Sequence, residues 1–500
     1  MRKINKLLVA NRGEISLRIM RTAREMGIQT VAVYSEADRN APHVRFADEA
    51  ICLGPAPSSQ SYLNSDAIIQ VCHDLKVDAI HPGYGFLSEN AEFAAKVDKA
   101  GIIFVGPSPE SIRVMGSKLA AKNAVSKYGI PMVPGTEEAI DDIPKAKATA
   151  KSIGYPILIK ASAGGGGKGM RIVNNEEEFE EQMQRAISEA QSAFGDGAVF
   201  IEKYITSPKH IEIQVLGDQH GQIVYLFERE CSVQRRHQKV IEEAPSAVVS
   251  PEMRKAMGEA AVKVAQACNY YGAGTVEFIV DEKLDFYFLE MNTRLQVEHP
   301  VTEMITGKDL VREQILIAEG NALGFKQEDL KIHGHAIEIR VYAEDPRNNF
   351  LPDIGKLVTY RKPQGPGVRV DDGFEEGMEV PIYYDPMIAK LIVHDSNREA
   401  AIQKMIKAID DYSITGIETT LPFCRFVLEH EAFRNGQFDT KFVENYFTPE
   451  KLDIQWEEDE LKLLAGLAVE VFEKSRLMLK PLSSPLGGGN VQTKWKNRLI

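Results

Sequence analysis

The sequence predicts a multidomain protein that joins one α/β domain to domains of the α+β class. Residues 1–115 alternate short apolar strands with amphipathic helices, which is typical of a parallel sheet. Residues 116–330 contain a glycine-rich loop and a strand-rich hairpin, and strand patterns recur over residues 331–447. Residues 448–500 change to one amphipathic helix and a polar end, which predicts a mobile tail.

The first domain is predicted to be Rossmann-like. Lys6–Ala10 has the pattern of a buried strand, Ile15–Met26 that of an amphipathic helix, and Thr30–Tyr34 that of the next strand. Ser108-Pro109 predicts a later helix start, with proline at the first helical position. The first strand–helix turn reads N-R-G-E rather than G-x-G-x-x-G, so no dinucleotide site is predicted there.

Composition narrows the classes of function. The chain has 500 residues, 44% of them hydrophobic, and a net charge of −13. That is enough for several cores and argues against non-specific nucleic-acid binding. The cysteines lack C-x-x-C spacing, which favours reduced thiols in a cytoplasmic protein over zinc or disulfides. Neither a signal peptide nor a membrane span is expected, because the apolar runs are too short.

The most informative segment is a predicted β-hairpin over Gly274–Pro300. Two β-rich runs flank a polar turn at Glu282–Asp285. Symmetric closure of the turn would place Asp281 opposite Phe286, and the same register would place Glu277 opposite Glu290.

Two opposed carboxylates require an explanation. They repel each other by roughly 4 kcal/mol at a separation of about 4 Å. A divalent cation between Glu277 and Glu290 would relieve that repulsion, and Asn292 on the same face would supply a third oxygen ligand. The alternative is a solvated strand face, which a one-residue slip in register would produce.

A second site is predicted around the glycine-rich segment Ala163–Arg171, which reads A-G-G-G-G-K-G-M-R. Consecutive glycines let backbone N–H groups approach anionic oxygens. The segment lacks the P-loop pattern and lies between predicted strands Ile157–Lys160 and Met170–Val173, so it is expected to be a hairpin flap over a triphosphate. The alternative is a flexible linker. Lys118 and Lys160 are cations that can reach phosphate oxygens.

Two further segments carry charge patterns. The run Arg235–Lys239 crowds positive charge into an acidic protein, which favours an anion-binding role, and Cys231 is expected to be packed rather than reactive. In the strand A-I-E-I-R-V-Y, Glu338 and Arg340 share a face, and these residues alone predict a cross-strand salt pair.

Taken in order, these motifs resemble those of biotin carboxylase, the ATP-grasp component of biotin-dependent acyl-CoA and pyruvate carboxylases. The strings that carry the resemblance include A-N-R-G-E-I, H-P-G-Y-G-F-L-S-E-N, Q-R-R-H-Q-K and E-M-N-T-R-L-Q-V-E-H-P-V-T-E. The resemblance covers residues 3–447. It implies a pre-ATP-grasp domain (1–115), an ATP-grasp domain (116–330) with a lid at about 133–204, and a β-rich C-terminal domain (331–447).

The resemblance also implies the residues of the ATP site. Adenine would lie against Glu202, Lys203, Tyr204 and Ile205. Glu277, Glu290 and Asn292 would bind Mg²⁺ or Mn²⁺, with two ions expected. The remaining nucleotide and phosphate contacts would come from Lys118, Lys160, Gly166, Gly167, His210, Gln234 and His237.

The reaction is implied in the same way. Glu298 would act as general base on bicarbonate, which attacks the γ-phosphorus of ATP to form carboxyphosphate. Arg340 would stabilise the enolate-like oxygen of biotin while N1′ captures CO₂. Lys239 and Arg294 would complete the catalytic set. The bicarbonate site would consist of Lys239, Arg294, Gln296, Val297 and Glu298.

The resemblance has consequences for partners. The sequence contains neither a Met-Lys-Met biotin-acceptor string nor a carboxyltransferase domain, so we expect biotin on a separate carrier protein and a separate carboxyltransferase subunit. A homodimer is expected. Ala163 stands where some members have glycine. The helix Leu461–Phe472 is hypothesised to dock on the chain's own body or on a partner subunit.

Two other functions stay open at this point. One is another ATP-grasp ligase, of the carbamoyl-phosphate synthetase type. The other is a non-catalytic nucleotide-binding subunit, which predicts the loss of Glu277, Glu290, Arg294 or Glu298, and all four are present. The final acceptor, whether acetyl-CoA for fatty acid biosynthesis, another acyl-CoA or pyruvate, would be chosen by the carboxyltransferase.

Overall fold

The computed structural model describes residues 2–136, 140, 142–161, 170–194, 197–236, 238–453 and 458–478. The side chains of residues 118, 119, 161, 170, 193, 194, 458–460 and 475–478 are outside this description. The chain divides into two compact units, Met1–Lys451 and Leu452–Ile500.

The N-terminal region is a five-stranded parallel sheet in the order β3-β2-β1-β4-β5, which confirms the predicted Rossmann-like domain. Ser108 caps the last helix by accepting a hydrogen bond from the Ser111 N–H, with proline following it as predicted. The strands are β1 (Lys6–Val9), β2 (Gln29–Ser35), β3 (Glu49–Gly54), β4 (Ala79–His81) and β5 (Ile103–Phe104). The helices are α1 (Gly13–Glu25), α2 (Pro42–Phe46), α3 (Ser65–Leu75), α4 (Ala91–Lys99) and α5 (Pro109–Gly116).

A small antiparallel sheet follows, in the order β7-β6-β8, with its own apolar core. Ile157 pairs with Val173 and Lys160 with Met170, so the two strands predicted to flank the glycine-rich loop are confirmed, while the loop itself lies outside the described residues. The elements are α6 (Lys118–Ser126), α7 (Ile143–Ile153), β6 (Ile157–Ala161), β7 (Met170–Val173), α8 (Phe179–Phe194) and β8 (Val199–Lys203).

An eight-stranded sheet, in the order β13-β12-β9-β10-β11-β14-β19-β18, runs through the centre of the first unit. It crosses the boundary predicted at residue 331, because β11 pairs with β14. Its strands are β9 (Lys209–Gly217), β10 (Ile223–Arg235), β11 (Gln238–Ala244), β12 (Gly272–Val280), β13 (Phe286–Asn292), β14 (His335–Tyr342), β18 (Val368–Asp372) and β19 (Met387–Asp395). Helices α9 (Pro251–Ala267), α10 (His299–Thr306) and α11 (Leu310–Ala318) lie between these strands in the chain.

The C-terminal part of the first unit surrounds the largest apolar core, which contains side chains of β14, β19 and the following helices. The helix α12 contributes Ala401, Ile402 and Met405 to this core. The remaining elements are β15 (Glu344–Asp345), β16 (Leu351–Pro352), β17 (Thr359–Arg361), α12 (Arg398–Asp410), β20 (Ser413–Thr415), α13 (Leu421–Glu429), α14 (Glu431–Arg434) and α15 (Phe442–Tyr446).

The described part of the second unit contains the helix α16 (Glu458–Met478), which includes the predicted stretch Leu461–Phe472. Several of its apolar side chains are exposed, among them Leu463 and Val469. Among the described residues, no helix is both long enough and apolar enough to span a membrane.

Candidate active site

The predicted hairpin is formed by β12 and β13, and Glu277 lies opposite Glu290 as expected. The turn, however, closes one residue tighter than predicted. The Asp281 N–H donates to the Asp285 carbonyl at 2.9 Å, so the predicted pair Asp281–Phe286 is wrong. A bulge at Leu289 then shifts the register by one residue and restores the pairing of the two glutamates.

Several polar side chains of the site contact the carboxylate of Glu277. Its Oε1 accepts hydrogen bonds from Asn292 and Gln296, both at 2.9 Å, and its Oε2 lies 2.9 Å from His210 Nε2. On the other side of β12, Glu277 is paired with Glu212 of β9. Burial alone would raise the pKa of Glu277, but Lys239 and His210 lower it well below its ordinary value.

Lys239, near the start of β11, is shared by three carboxylates. Its Nζ lies 2.5 Å from Glu212, 3.1 Å from Glu277 and 2.7 Å from Glu298. Burial alone would lower the pKa of this ammonium, but the three carboxylates raise it well above its usual value. Lys239 is therefore a permanent cation at the centre of an acidic cluster.

Glu298 occupies the N-cap position of α10 but makes no cap hydrogen bond, so its carboxylate turns toward two cations. One oxygen contacts Lys239, and the other lies 3.0 Å from the Arg340 guanidinium. Burial would raise the pKa of Glu298, but Lys239 and Arg340 lower it well below the usual range. This carboxylate is ionised and tightly held.

Arg340 forms the predicted cross-strand salt pair. Its Nε donates to Glu242 at 2.6 Å, and its terminal nitrogen reaches Glu298. Glu242 is opposite Glu338 in the β11–β14 register, so the neighbouring strand offers Arg340 a diagonal partner. The identity of that partner was not predicted.

The segment that links β13 to α10 brings further polar groups to the cluster. Arg294 donates to Glu89 and to the side-chain amide oxygen (Oδ1) of Asn292, both at 2.9 Å. Gln296 accepts from Arg229 at 2.6 Å while it donates to Glu277. The Val297 carbonyl accepts from Lys390 at 2.9 Å. The predicted bicarbonate residues are therefore gathered in one place, and their roles remain predictions.

The predicted nucleotide residues are spread along β8 and β9. Glu202 is contacted by Lys160 and, at 2.6 Å, by Lys122, a residue that the sequence analysis missed. The Lys203 ammonium donates to two backbone carbonyls, those of Gly154 and Tyr155, at 2.9 Å.

The other nucleotide residues are described in part. The Lys441 ammonium lies 5.4 Å from the centre of the Tyr204 ring, Ile205 is half-buried, and Gln234 lies 2.9 Å from His210 Nδ1. Gly166, Gly167 and His237 lie outside the described residues, as does the Lys118 side chain.

The cationic run Arg235–Lys239 does not act as one group. Arg235 donates to Glu344 at 2.6 and 2.7 Å and lies over the Phe350 ring, so it is held apart from Lys239, and the anion-binding role of the run stays a prediction. Cys231 is fully buried, and burial raises the pKa of its thiol well above its ordinary value, in agreement with a packed, unreactive role.

The sequence analysis missed other residues because they are recognised only by their contacts with neighbouring strands, not by a pattern along one strand. Arg229 is fully buried and bonds Glu212, Gln214, Thr275, Gln296 and Thr302. Glu212 alternates with His210 and Gln214 along β9, and that parity marks a polar face. Arg229, by contrast, belongs to no such alternating pattern in the sequence.

The donor set around Glu277 fits a hard divalent cation. Glu277 and Glu290 are cross-strand neighbours, and Asn292 hydrogen-bonds Glu277. His210, Glu212 and Glu277 also have ligand atoms within 4.8 Å of one another. Carboxylate and amide oxygens are the ligands that Mg²⁺ and Mn²⁺ prefer.

An antiparallel sheet with paired carboxylates and convergent lysines, beside a small lid-like sheet, defines a nucleotide-dependent ligase of the ATP-grasp class. Family comparisons agree with this class. Residues 3–112 match the biotin carboxylase N-terminal domain, residues 117–326 the ATP-binding domain of carbamoyl-phosphate synthase L chain, and residues 338–445 the biotin carboxylase C-terminal domain.

Full-length relatives specify the family. The chain is 52% identical to biotin carboxylase 1 of Bacillus subtilis over 444 residues, which cover 89% of this chain and 99% of the relative. The chain belongs to the biotin carboxylase family of ATP-dependent ligases. It is also 50% identical to the mitochondrial propionyl-CoA carboxylase alpha chain of Sus scrofa, over 96% of this chain but only 66% of that longer protein.

A solved relative has the same fold. The biotin carboxylase domain dimer of Hydrogenobacter thermophilus 2-oxoglutarate carboxylase, in complex with MgADP, ADP and bicarbonate, superposes with a TM-score of 0.83. It is 47% identical and covers 91% of this chain and 100% of that domain.

Proposed function

We propose that this chain is the biotin carboxylase component of a biotin-dependent carboxylase. It uses ATP and bicarbonate to carboxylate N1′ of biotin that a separate protein carries. One observation carries the proposal: a single carboxylate, Glu298, lies between Lys239 and Arg340. A bicarbonate base, an anion-binding cation and a cation for the biotin oxygen thus lie in direct contact.

The low pKa of Glu298 defines how it can act as a base. While Lys239 and Arg340 both hold its carboxylate, its affinity for a proton is small. Bicarbonate that binds Lys239, Arg294, Gln296 and the Val297 backbone competes for the same cations. Glu298 then loses part of its stabilisation, its pKa rises, and it can take the bicarbonate proton as the oxygen attacks the γ-phosphorus of ATP.

Arg340 is held so that its outer nitrogens face the reaction. Glu242 binds its Nε at 2.6 Å, which fixes the plane of the guanidinium. Its terminal nitrogens contact Glu298 and, at 3.5 Å, the Tyr342 hydroxyl. Carboxyphosphate breaks down to CO₂ and phosphate, and the phosphate takes the proton from N1′. The Arg340 nitrogens are the groups that would stabilise negative charge on the ureido oxygen of biotin while N1′ captures the CO₂.

On the nucleotide side, Glu277, Glu290 and Asn292 would hold Mg²⁺ or Mn²⁺. When bound, such an ion would neutralise charge on the outer phosphates of ATP. Lys118 and Lys160 would add cations, the glycine-rich loop with Gly166 and Gly167 would cover the phosphates, and water exclusion would protect carboxyphosphate. Adenine would lie against residues 202–205, with His210, Gln234 and His237 nearby.

The deciding experiment measures ATP cleavage by the purified chain with and without bicarbonate and free biotin. We expect cleavage to require bicarbonate and to be stimulated by biotin. Arg340→Gln should keep the bicarbonate-dependent reaction and lose the stimulation by biotin. If wild-type ATP cleavage ignores biotin but responds to ammonia or glutamine, the carbamoyl-phosphate type of ligase replaces this proposal.

The metal assignment has its own test. Glu290→Gln removes one of the two opposed carboxylates, and we expect Mg²⁺ to support ATP cleavage with roughly tenfold weaker apparent affinity. Glu282→Gln, in the hairpin turn, is the matched control and should bind Mg²⁺ as the wild type does. Equal Mg²⁺ dependence in all three proteins would remove Glu290 from the metal site.

We further propose that the carrier and the carboxyltransferase are separate subunits, that the chain is a homodimer, and that the assembly carboxylates an acyl-CoA. Supporting the acyl-CoA assembly, the 483-residue alignment with the propionyl-CoA carboxylase alpha chain extends into residues 448–500. Co-purification of the carboxyltransferase, followed by assays with acetyl-CoA, propionyl-CoA and pyruvate, tests the acceptor, and sedimentation tests the dimer. A preference for pyruvate would contradict the acyl-CoA proposal, whereas a preference for acetyl-CoA would agree with it and place the enzyme in fatty acid biosynthesis.

A further inference from the structure

Two buried glutamates lie next to each other beside Arg340. Glu242 on β11 and Glu338 on β14 are directly opposite each other in the antiparallel register, and both side chains are fully buried. Opposed residues in such a pair have Cβ atoms about 4.5–5.5 Å apart. Glu338 and Arg340 lie on the same face of β14, so the two carboxyl groups and the guanidinium form one cluster.

The hydrogen bonds of this cluster are incomplete. Glu242 Oε1 accepts from Arg340 Nε at 2.6 Å. Glu242 Oε2 and both oxygens of Glu338 have no hydrogen-bond partner within the described part of the chain. Two ionised carboxylates left this way would be costly, whereas one proton shared between them forms an O–H···O bond that satisfies both groups.

Among the described residues, no cation hydrogen-bonds the Glu338 carboxylate, and the two cations that face it have other partners. The charged groups that face it are Arg340 on its own strand, Glu242 on β11, Glu298 before α10 and Lys390 on β19. Lys390 is engaged by the Val297 carbonyl at 2.9 Å and by Glu14 at 3.2 Å. Burial raises the pKa of Glu338 well above its ordinary value and that of Glu242 to about 7.

We propose that Glu338 is a positioning residue for biotin carboxylation. It keeps a proton at neutral pH and donates it in a hydrogen bond to Glu242 Oε2. That bond holds Glu242 in the orientation in which its other oxygen fixes Arg340 Nε. A neutral Glu338 adds no negative charge beside Arg340. More of the positive charge of Arg340 is therefore available to stabilise the biotin oxygen. This inference rests on the proposed role of Arg340.

The protonation of Glu338 can be measured without any enzyme assay. The infrared spectrum of the wild-type protein minus that of Glu338→Gln should contain the carbonyl band of a protonated carboxylic acid at about pH 8.5. Glu230→Gln is the matched control: Glu230 is also buried, but its pKa is raised only to about 7, so no acid band should be lost at that pH. Absence of the band in the Glu338 difference overturns the inference.

Two variants of Glu338 test the positioning role, and they differ in whether the new side chain can donate a hydrogen bond. Glu338→Gln keeps a donor for Glu242, whereas Glu338→Leu removes it. We expect biotin-stimulated turnover to fall about tenfold in the leucine variant and to be largely retained in the glutamine variant. Bicarbonate-dependent ATP cleavage without biotin should be unchanged in both variants.

Each outcome has a distinct meaning. Equal biotin-stimulated turnover in the leucine and glutamine variants, or equal losses with and without biotin, overturns the positioning role. If the leucine variant fails to fold, the infrared difference and the glutamine variant still decide whether Glu338 holds the proton. A wild-type protein that ignores biotin contradicts the proposed function instead, and the infrared result is independent of that outcome.

Discussion

Two buried charge clusters in the first unit differ in what surrounds their charges. The Lys239 cluster places three cations (Lys239, Arg229 and Arg340) among four carboxylates (Glu212, Glu242, Glu277 and Glu298). The Glu303 cluster joins α10 to α1 and β18, with Arg18 and Arg369 each 2.7–2.8 Å from Glu303. In it, three cations (Arg18, Arg369 and Lys390) meet Glu303, Asp309 and Asp371.

The difference teaches that burial of charge does not by itself mark a catalytic site. Around Glu303, each arginine joins two carboxylates, Glu14 adds a fourth carboxylate beside Lys390, and the groups come from separate segments that they hold together. Around Lys239, one lysine serves three carboxylates, and two amide side chains converge on one oxygen of Glu277. Several polar groups that converge on one point suit the binding of cations and substrates, whereas ion pairs between separate segments suit stability.

The largest expected effect comes from Glu298→Gln, which removes the proposed base but keeps the shape of the side chain. Bicarbonate-dependent ATP cleavage should fall by about 10²–10⁴-fold, the usual contribution of a general base. The loss in the free energy of unfolding should be smaller than in a variant of Glu303, because Lys239 keeps two other carboxylates, whereas Arg18 and Arg369 would each keep one. Steady-state kinetics and urea unfolding measure the two quantities, and substantial residual cleavage would exclude Glu298 as the base.

Glu303→Gln is the matched experiment, one helical turn away. It leaves Arg18 and Arg369 buried without their shared carboxylate, so the free energy of unfolding should fall by about 3 kcal/mol. The folded fraction should keep its ATP cleavage. Urea unfolding measures the loss, with the exposed Glu110→Gln as the control. If Glu303→Gln is as stable as the wild type but inactive, the proposed difference between the two clusters is wrong.

The smallest expected effect concerns pH. Burial raises the pKa of Glu14, which contacts Lys390 at the edge of the Glu303 cluster, to about 7. Since its pKa in the unfolded chain is about 4.3, folding takes up a proton between these two values. The contribution of Glu14 to the free energy of unfolding is therefore present below about pH 4.3 and lost as the pH rises toward 7.

Glu14→Gln should flatten that part of the stability profile by at most about 3 kcal/mol. Urea unfolding of both proteins across this window is the measurement. An unchanged slope in the variant would mean that Glu14 is ionised in the folded protein.

The sequence predicted contacts between strands that are close together along the chain, and it did not predict contacts between elements that are far apart along the chain. The Glu277–Glu290 register was predicted because β12 and β13 are joined by a short turn, although the turn itself was predicted one residue too wide. A cross-strand salt pair was predicted for Arg340, but its partners were not, because Glu242 and Glu298 are on other elements. Lys122 gave no local signal, since only the fold of β8 brings Glu202 to it.

By itself, the sequence determined the fold class, the strands on either side of the glycine-rich loop, and the residue types that gather around Glu277. Strand periodicity and turn length are local properties, so a single chain segment contains enough information to predict them. Only the tertiary structure decided the bulge at Leu289, the three carboxylates around Lys239, and the isolation of Glu338. Those depend on pairings between strands far apart in the chain, and the position of each buried charge follows from the groups that other strands bring to it.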